Sequence, residues 1–422
     1  MGGFGSNVLD AVRRPLAGAL TAALLAWPAT VLPREVNPEG ALAEARRLNS
    51  EAEALIAAGR FPEAASVARQ ALTLAEEALG PQHPVVGLSL ANLAVAYGSQ
   101  GKHAEAEPLQ RRALAVLEQA LGEDHPAVAA SLNNLALLYR SQGRISEAEP
   151  LQRRALAIRE KAFGPHHPAV AASLNNLADT YTTQGRYAEA EPLYRRALGI
   201  VEQRLGPAHP VAATALNNLA FVYAAQGKRA EAEPLYRRAL EIRELALGPD
   251  HPDLAVTLNN LGLLYSAQGR YAEAEPLYRR ALAIVERAVG LEHPSAAMTL
   301  NNLALLYRSA ARYAEAEPLY RRALAIMEKT LGPEHPDVAA TLGNLAALYV
   351  AQGRHAEAEP LYRRALTITE QVLGARHPNV VSILNALAAV LRAIGRADEA
   401  EQLESRAAQV IASDRRPVPP GH

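Results

Sequence analysis

"HPAVAASLNNLALLYRSQGR", residues 125–144, sets Asn133 and Asn134 inside a run otherwise rich in Ala, Leu, Val and Tyr. Pro126 suits the first turn of a helix, where its missing N–H is not needed. Leu132, Leu135, Ala136 and Tyr139 follow at i, i+3, i+4 and i+7, which makes one apolar stripe. Gly143 then supplies the left-handed residue that ends a helix. Amide side chains compete for backbone hydrogen bonds and weaken helices, so the asparagine pair needs its own explanation.

The phrase returns along the chain. His-Pro occurs at His83, His125, His167, His209, His251, His293, His335 and His377, always 42 residues apart. A glycine closes the first helix at Gly101, Gly143, Gly185, Gly227, Gly269, Gly353 and Gly395, with Ala311 as the lapse. The second half of each unit, "ISEAEPLQRRALAIREKAF" at 145–163, stops at Gly164-Pro165. Pro150 removes the bond to the Ser146 carbonyl, so this second helix is expected to start late or bend there. A divergent first copy begins near residue 41 with Gly59 and Phe61 but no His-Pro. Units starting near 41, 83, 125, 167, 209, 251, 293, 335 and 377 make about nine, and a period of this size means a solenoid. Neither helix can bury its stripe alone, so stacking of hairpins creates the core.

The 422 residues are too many for a single ordinary core, and aromatics are only 5%. Helices with small residues at their contacts follow from the abundance of Ala and Leu. A net charge of −1 gives no global attraction to nucleic acid or anionic membrane. With no cysteine, disulfides and thiolate chemistry are excluded. Arg13 and Arg14 precede the apolar run "PLAGALTAALLAW" at 15–27, the layout of an export signal or anchor, although no good small-x-small cleavage site follows. The expected organisation is a leader over 1–38, a repeat array over 39–412 and a disordered tail over 413–422. The expected location is the cell envelope or periplasm if the leader is an export signal, and otherwise the cytoplasm.

The unit resembles the tetratricopeptide repeat, with Leu174, Leu177, Ala178, Tyr181, Ala190, Tyr194 and Ala197 at the pattern positions. The 42-residue form, with "LNNLA", "LYRRALAI" and "LGPxHP", is similar to the kinesin light chain subclass and its bacterial relatives. No heptad region for a motor subunit stands at the front, so motor function is not implied. The resemblance does imply an all-α, right-handed superhelical solenoid that acts as an interaction scaffold and holds extended peptides in a concave groove.

Helix geometry then gives the amides separate tasks. At about 100° per residue, Asn134 lies roughly 150° from the centre of the apolar stripe. The same far side carries Asn92, Asn176, Asn218, Asn260, Asn302 and Asn344, together with Leu137, Asp179, Phe221, Leu263 and Leu305. Such a face, neither charged nor fully apolar, reads as a groove lining. An amide there offers a donor and an acceptor to a peptide main chain. The plainer alternative, bonding to neighbouring helices to fix repeat spacing, fits Asn133 and its equivalents better.

Other repeated residues read as structural. Histidines a whole repeat apart are about 15–20 Å from one another if each helix adds 8–10 Å, too far to share a metal. The Glu191 and Arg195 spacing reads as an i,i+4 ion pair on a solvated face. No phosphate loop, His-Glu-x-x-His or Gly-x-Ser-x-Gly appears. The reading is a non-enzymatic, monomeric scaffold without metal or cofactor, with protein or peptide partners. Nucleic acid is not among the expected partners, and membrane contact is expected only through the leader. The alternative is an architectural solenoid that self-associates through its end repeats.

Overall fold

The computed structural model describes residues 38–414. The leader run at 15–27 and residues 415–422 of the expected tail lie outside them. Among the described residues, eighteen helices follow one another as nine hairpins and no strand occurs. The fold is an all-α solenoid of helical hairpins.

The third repeat shows how each is built. Helix one, Pro126–Ser141, starts directly after His125. His125 is extended at φ −74°, and its Nδ1 accepts the Ala127 N–H at 3.1 Å. The histidine is thus the N-cap and the proline the first helical residue, which explains why the two travel together. The same bond forms at His83, His167, His209, His251, His293, His335 and His377. At the far end Gly143 takes φ +75°. Its N–H donates to the Arg140 carbonyl at 3.0 Å, and the Arg144 N–H donates to the Tyr139 carbonyl at 2.9 Å. These paired bonds close the helix.

Helix two departs from expectation. It runs Ile145–Phe163 without interruption at Pro150 and without a late start. The proline removes one bond near the beginning. The stripe of Ala148, Gln152, Ala155 and Ile158 behind it is buried, and that packing holds the first turn in the helix.

The chain groups into two compact units, one ending at Leu235 and the other starting at Tyr236. In the first, Leu88, Leu117, Val128, Leu132 and Ile158 form one buried cluster. In the second, Leu300, Ile326, Met327, Val338, Leu342 and Ile368 do the same. Each cluster draws on both helices of consecutive repeats, so a repeat buries its stripe only against its neighbours. The outer face is ionic, as expected, but it also joins repeats. Arg195 pairs with Glu191 at 2.6 Å inside its helix, while Arg196 reaches Glu160 of the preceding repeat at 2.6 Å. Arg144 bonds Glu147 at 2.7 Å and Glu107 of the previous repeat at 2.8 Å, with its guanidinium 4.0 Å from the Tyr139 ring centre.

Candidate functional site

The helix-one amides form a ladder. Asn92 Nδ2 donates to Asn49 Oδ1 at 3.1 Å, Asn176 Nδ2 to Asn133 Oδ1 at 2.6 Å, and Asn344 Nδ2 to Asn301 Oδ1 at 3.1 Å. In each pair the second amide of one repeat meets the first amide of the repeat before it. Asn92, Asn218, Asn260 and Asn344 are buried. Asn133 and Asn301 thus bond to a neighbouring helix, as expected of the first amides, and the second amides Asn176 and Asn344 are their partners. Wheel geometry placed Asn134 opposite the stripe of its own hairpin, yet at Asn92, Asn176 and Asn344 the preceding helix one packs against part of that side.

What stays half-exposed on this side is narrower. It comprises Asn134, Asn176, Leu137, Asp179 and Phe221 in the first unit, and Asn302, Leu263 and Leu305 in the second. Asp179 is drawn inward. Its carboxylate accepts from the hydroxyl of buried Tyr194, and Asn218 Nδ2 donates to it at 3.4 Å. Burial, and then the Asp179 charge, pushes the Tyr194 phenol well above its ordinary range. Arg140 Nη1 lies 3.9 Å from Asp179 Oδ2 and donates to the Asn176 carbonyl at 3.4 Å.

Arginine occupies this helix-one position in repeats three, seven and nine, as Arg140, Arg308 and Arg392. Arg392 has its own carboxylate, bonding Glu404 at 2.6 and 3.1 Å. Arg308, on the helix Pro294–Ser309, has no acidic partner among the described residues. Its one bond runs from Nη1 to the Asn344 carbonyl at 3.4 Å, the same contact that Arg140 makes. Two phenols flank it. The Tyr320 side chain is fully buried and its hydroxyl has no hydrogen-bond partner. Tyr362 is buried as well. Burial raises the pKa of both phenols and the Arg308 charge opposes the rise, so the guanidinium acts on each. In the repeat before, the matching Tyr278 hydroxyl lies 3.5 Å from Ser266, which holds the Arg308 position there. A cation beside an unsatisfied hydroxyl donor can take a carboxylate. The sequence reading missed these arginines because they stand one residue outside the strip it followed. Their signal was present as a basic residue at one register position in three repeats.

Among the described residues no group of three His, Cys, Asp or Glu side chains could hold a metal ion. No described helix is long and apolar enough to cross a membrane.

The tetratricopeptide repeat profile matches residues 44–119, 91–161, 142–203, 211–287, 295–371 and 337–411. No curated protein is significantly similar. Among solved structures, a Rap protein complexed with competence and sporulation factor is 15% identical, with a TM-score of 0.61 over 89% of this chain and 98% of that one. The apo quorum sensor NprR of B. thuringiensis is 17% identical, with a TM-score of 0.60 over 88% of this chain and 98% of that one. At these identities the likeness shows the fold alone. BtubC (BKLC) from P. vanneervenii is 26% identical, covering 57% of this chain and 94% of that one at a TM-score of 0.47. With a profile covering most of its length and a 42-residue unit throughout, the chain belongs to the tetratricopeptide repeat family, with repeats of the kinesin light chain-like type.

Proposed function

We propose that the chain is a non-enzymatic scaffold that holds extended, acidic peptide segments of partner proteins along its helix-one faces. The observation that carries this reading is Arg308, a half-buried guanidinium without a carboxylate among the described residues, beside the unpartnered hydroxyl of buried Tyr320. An unsatisfied buried donor costs about 1–3 kcal/mol. A ligand carboxylate seated on Arg308 would supply the missing acceptor by parting the side chains that cover the Tyr320 hydroxyl. Asn302 and Leu305, half-exposed on the same helix, supply an amide for the peptide main chain and an apolar contact beside it. Asn134 and Leu137 offer the same pair of groups in the third repeat.

Self-association through the end repeats finds less support. The first helix turns Glu39, Glu44, Arg47 and Glu51 to solvent, and the last exposes Asp398, Glu401, Gln402 and Gln409. Polar outer faces of this kind cap a repeat array. Delivery to the cell envelope by residues 13–27 is a further proposal, which a reporter fused after residue 40 reads out directly.

The test uses a fluorescein-labelled extended peptide carrying a pair of glutamates, with its glutamine counterpart as control. Fluorescence anisotropy should show binding of the acidic peptide, weakened by added salt. Arg308→Met should lower its affinity by about tenfold or more. Equal binding of the glutamine peptide, or an unchanged affinity in the variant, would remove Arg308 as the anchor.

A further inference from the structure

Arg140 and Arg308 stand four 42-residue periods apart and make the same 3.4 Å bond to a carbonyl of the next helix one, at Asn176 and Asn344. The sites differ at the register of Tyr320, where the third repeat has Gln152, and at the residue three places beyond that carbonyl. In the fourth repeat it is Asp179, in the eighth it is Ala347. The tyrosines that follow correspond too: Tyr194 donates to Asp179, whereas Tyr362 has no carboxylate before it. The exposure of the two arginines follows this difference. The Arg140 side chain is 1% exposed, while Arg308 is half-buried.

We infer that Asp179 is a built-in occupant of a carboxylate site, so that the chain carries one such site closed by its own side chain at Arg140 and one left open at Arg308. The inference rests on the reading above, in which Arg308 receives a ligand carboxylate. It makes Asp179 and Ala347 the residues that decide where an acidic ligand docks. Asp179 stands at ion-pair distance from the Arg140 guanidinium and accepts from Tyr194 and Asn218, so a ligand carboxylate at Arg140 would have to displace a tethered one. A tethered group competes at the high effective concentration of an intramolecular partner. The acidic segment therefore seats in the seventh and eighth repeats, and the third and fourth are closed to it.

The test exchanges the two residues. Asp179→Ala should open a second binding site for the glutamate peptide, read as an added equivalent of bound probe per chain by titration calorimetry. Combining it with Arg140→Met should remove that equivalent again. Ala347→Asp should close the open site, lowering affinity for the same probe by about tenfold or more, and should raise the melting temperature by giving Arg308 and Tyr362 a carboxylate. The second arm does not depend on Asp179→Ala folding, because it strands no buried cation. A folded Asp179→Ala chain with no added equivalent overturns the inference. So does an Ala347→Asp chain that binds the probe as tightly as the parent and melts no higher. If the parent chain fails to bind the probe, the reading of Arg308 falls. The gained site in Asp179→Ala and the melting shift in Ala347→Asp still decide the role of Asp179.

Discussion

Two departures from the apolar and glycine pattern of the repeat have measurable consequences. Ala311 takes φ +57°, the one non-glycine at positive φ among the described residues. A side chain in that region costs on the order of 1 kcal/mol. Ala311→Gly should therefore stabilise the protein by up to about 1 kcal/mol in urea unfolding, and a lower midpoint would contradict the left-handed turn. Arg159 is buried where four other repeats place Leu117, Val201, Val285 or Met327, and the fifth repeat shares it as Arg243. Its guanidinium reaches only Ser173 Oγ at 2.7 Å and the Ala169 carbonyl at 3.4 Å, and burial lowers its pKa. Replacing a buried charge with an apolar residue of similar length often stabilises by roughly 1–4 kcal/mol. Met327 beside Thr341 already shows that arrangement, with 3.2 Å between sulfur and hydroxyl. Arg159→Met should accordingly raise the melting temperature, and a fall would show that the bond to Ser173 outweighs the desolvation of the cation.

At the scale of elements, the question is what holds successive first helices in register. The Asn301 and Asn344 pair is buried on both sides and bonded at 3.1 Å. Removing one amide leaves the other buried without its partner, at about 1–3 kcal/mol, whereas removing both leaves nothing stranded. Asn344→Ala alone should thus be nearly as harmful as the double change with Asn301→Ala. The coupling in a double-mutant cycle should exceed about 0.5 kcal/mol. Additive losses would mean that the amides act separately. The alanines themselves favour helix, so a loss of stability cannot be charged to propensity.

Across the described repeats, one cap and one ion pair recur many times, and several copies respond to pH in the same direction. The caps need Nδ1 without a proton, and burial lowers the pKa of His83, His125 and His293. A depressed folded pKa means that the unfolded chain takes the proton first. The contribution is therefore full above about pH 6.5 and is lost as pH falls from there through the folded values. Hydrogen bonds from Arg312 and Arg354 hold the Glu275 and Glu317 carboxyls below their usual range. Their contribution is present above about pH 4.3 and is lost below it. Urea midpoints measured against pH should fall in two stages, the first beginning near about pH 6.5. A level midpoint from about pH 7.5 to 5 would show that the histidine caps carry no stability.

The hairpins were legible in the sequence because their signals are local. His-Pro starts a helix, an apolar residue at every third or fourth position gives its buried face, and glycine ends it, all within one 42-residue unit. Repetition turned that unit into a solenoid without further information. The Pro150 positions misled about where helix two starts, because the missing bond is visible in sequence and the buried stripe that offsets it is not. The candidate site lies beyond local reading for the same reason. Whether Asn344 faces a ligand or Asn301, and whether a guanidinium finds a carboxylate, depends on side chains about 40 residues away on the next helix. Arg140 meets Asp179 and Arg308 does not. Sequence fixes which residues stand at these positions, but only the packing of one repeat on the next decides which of them are already partnered.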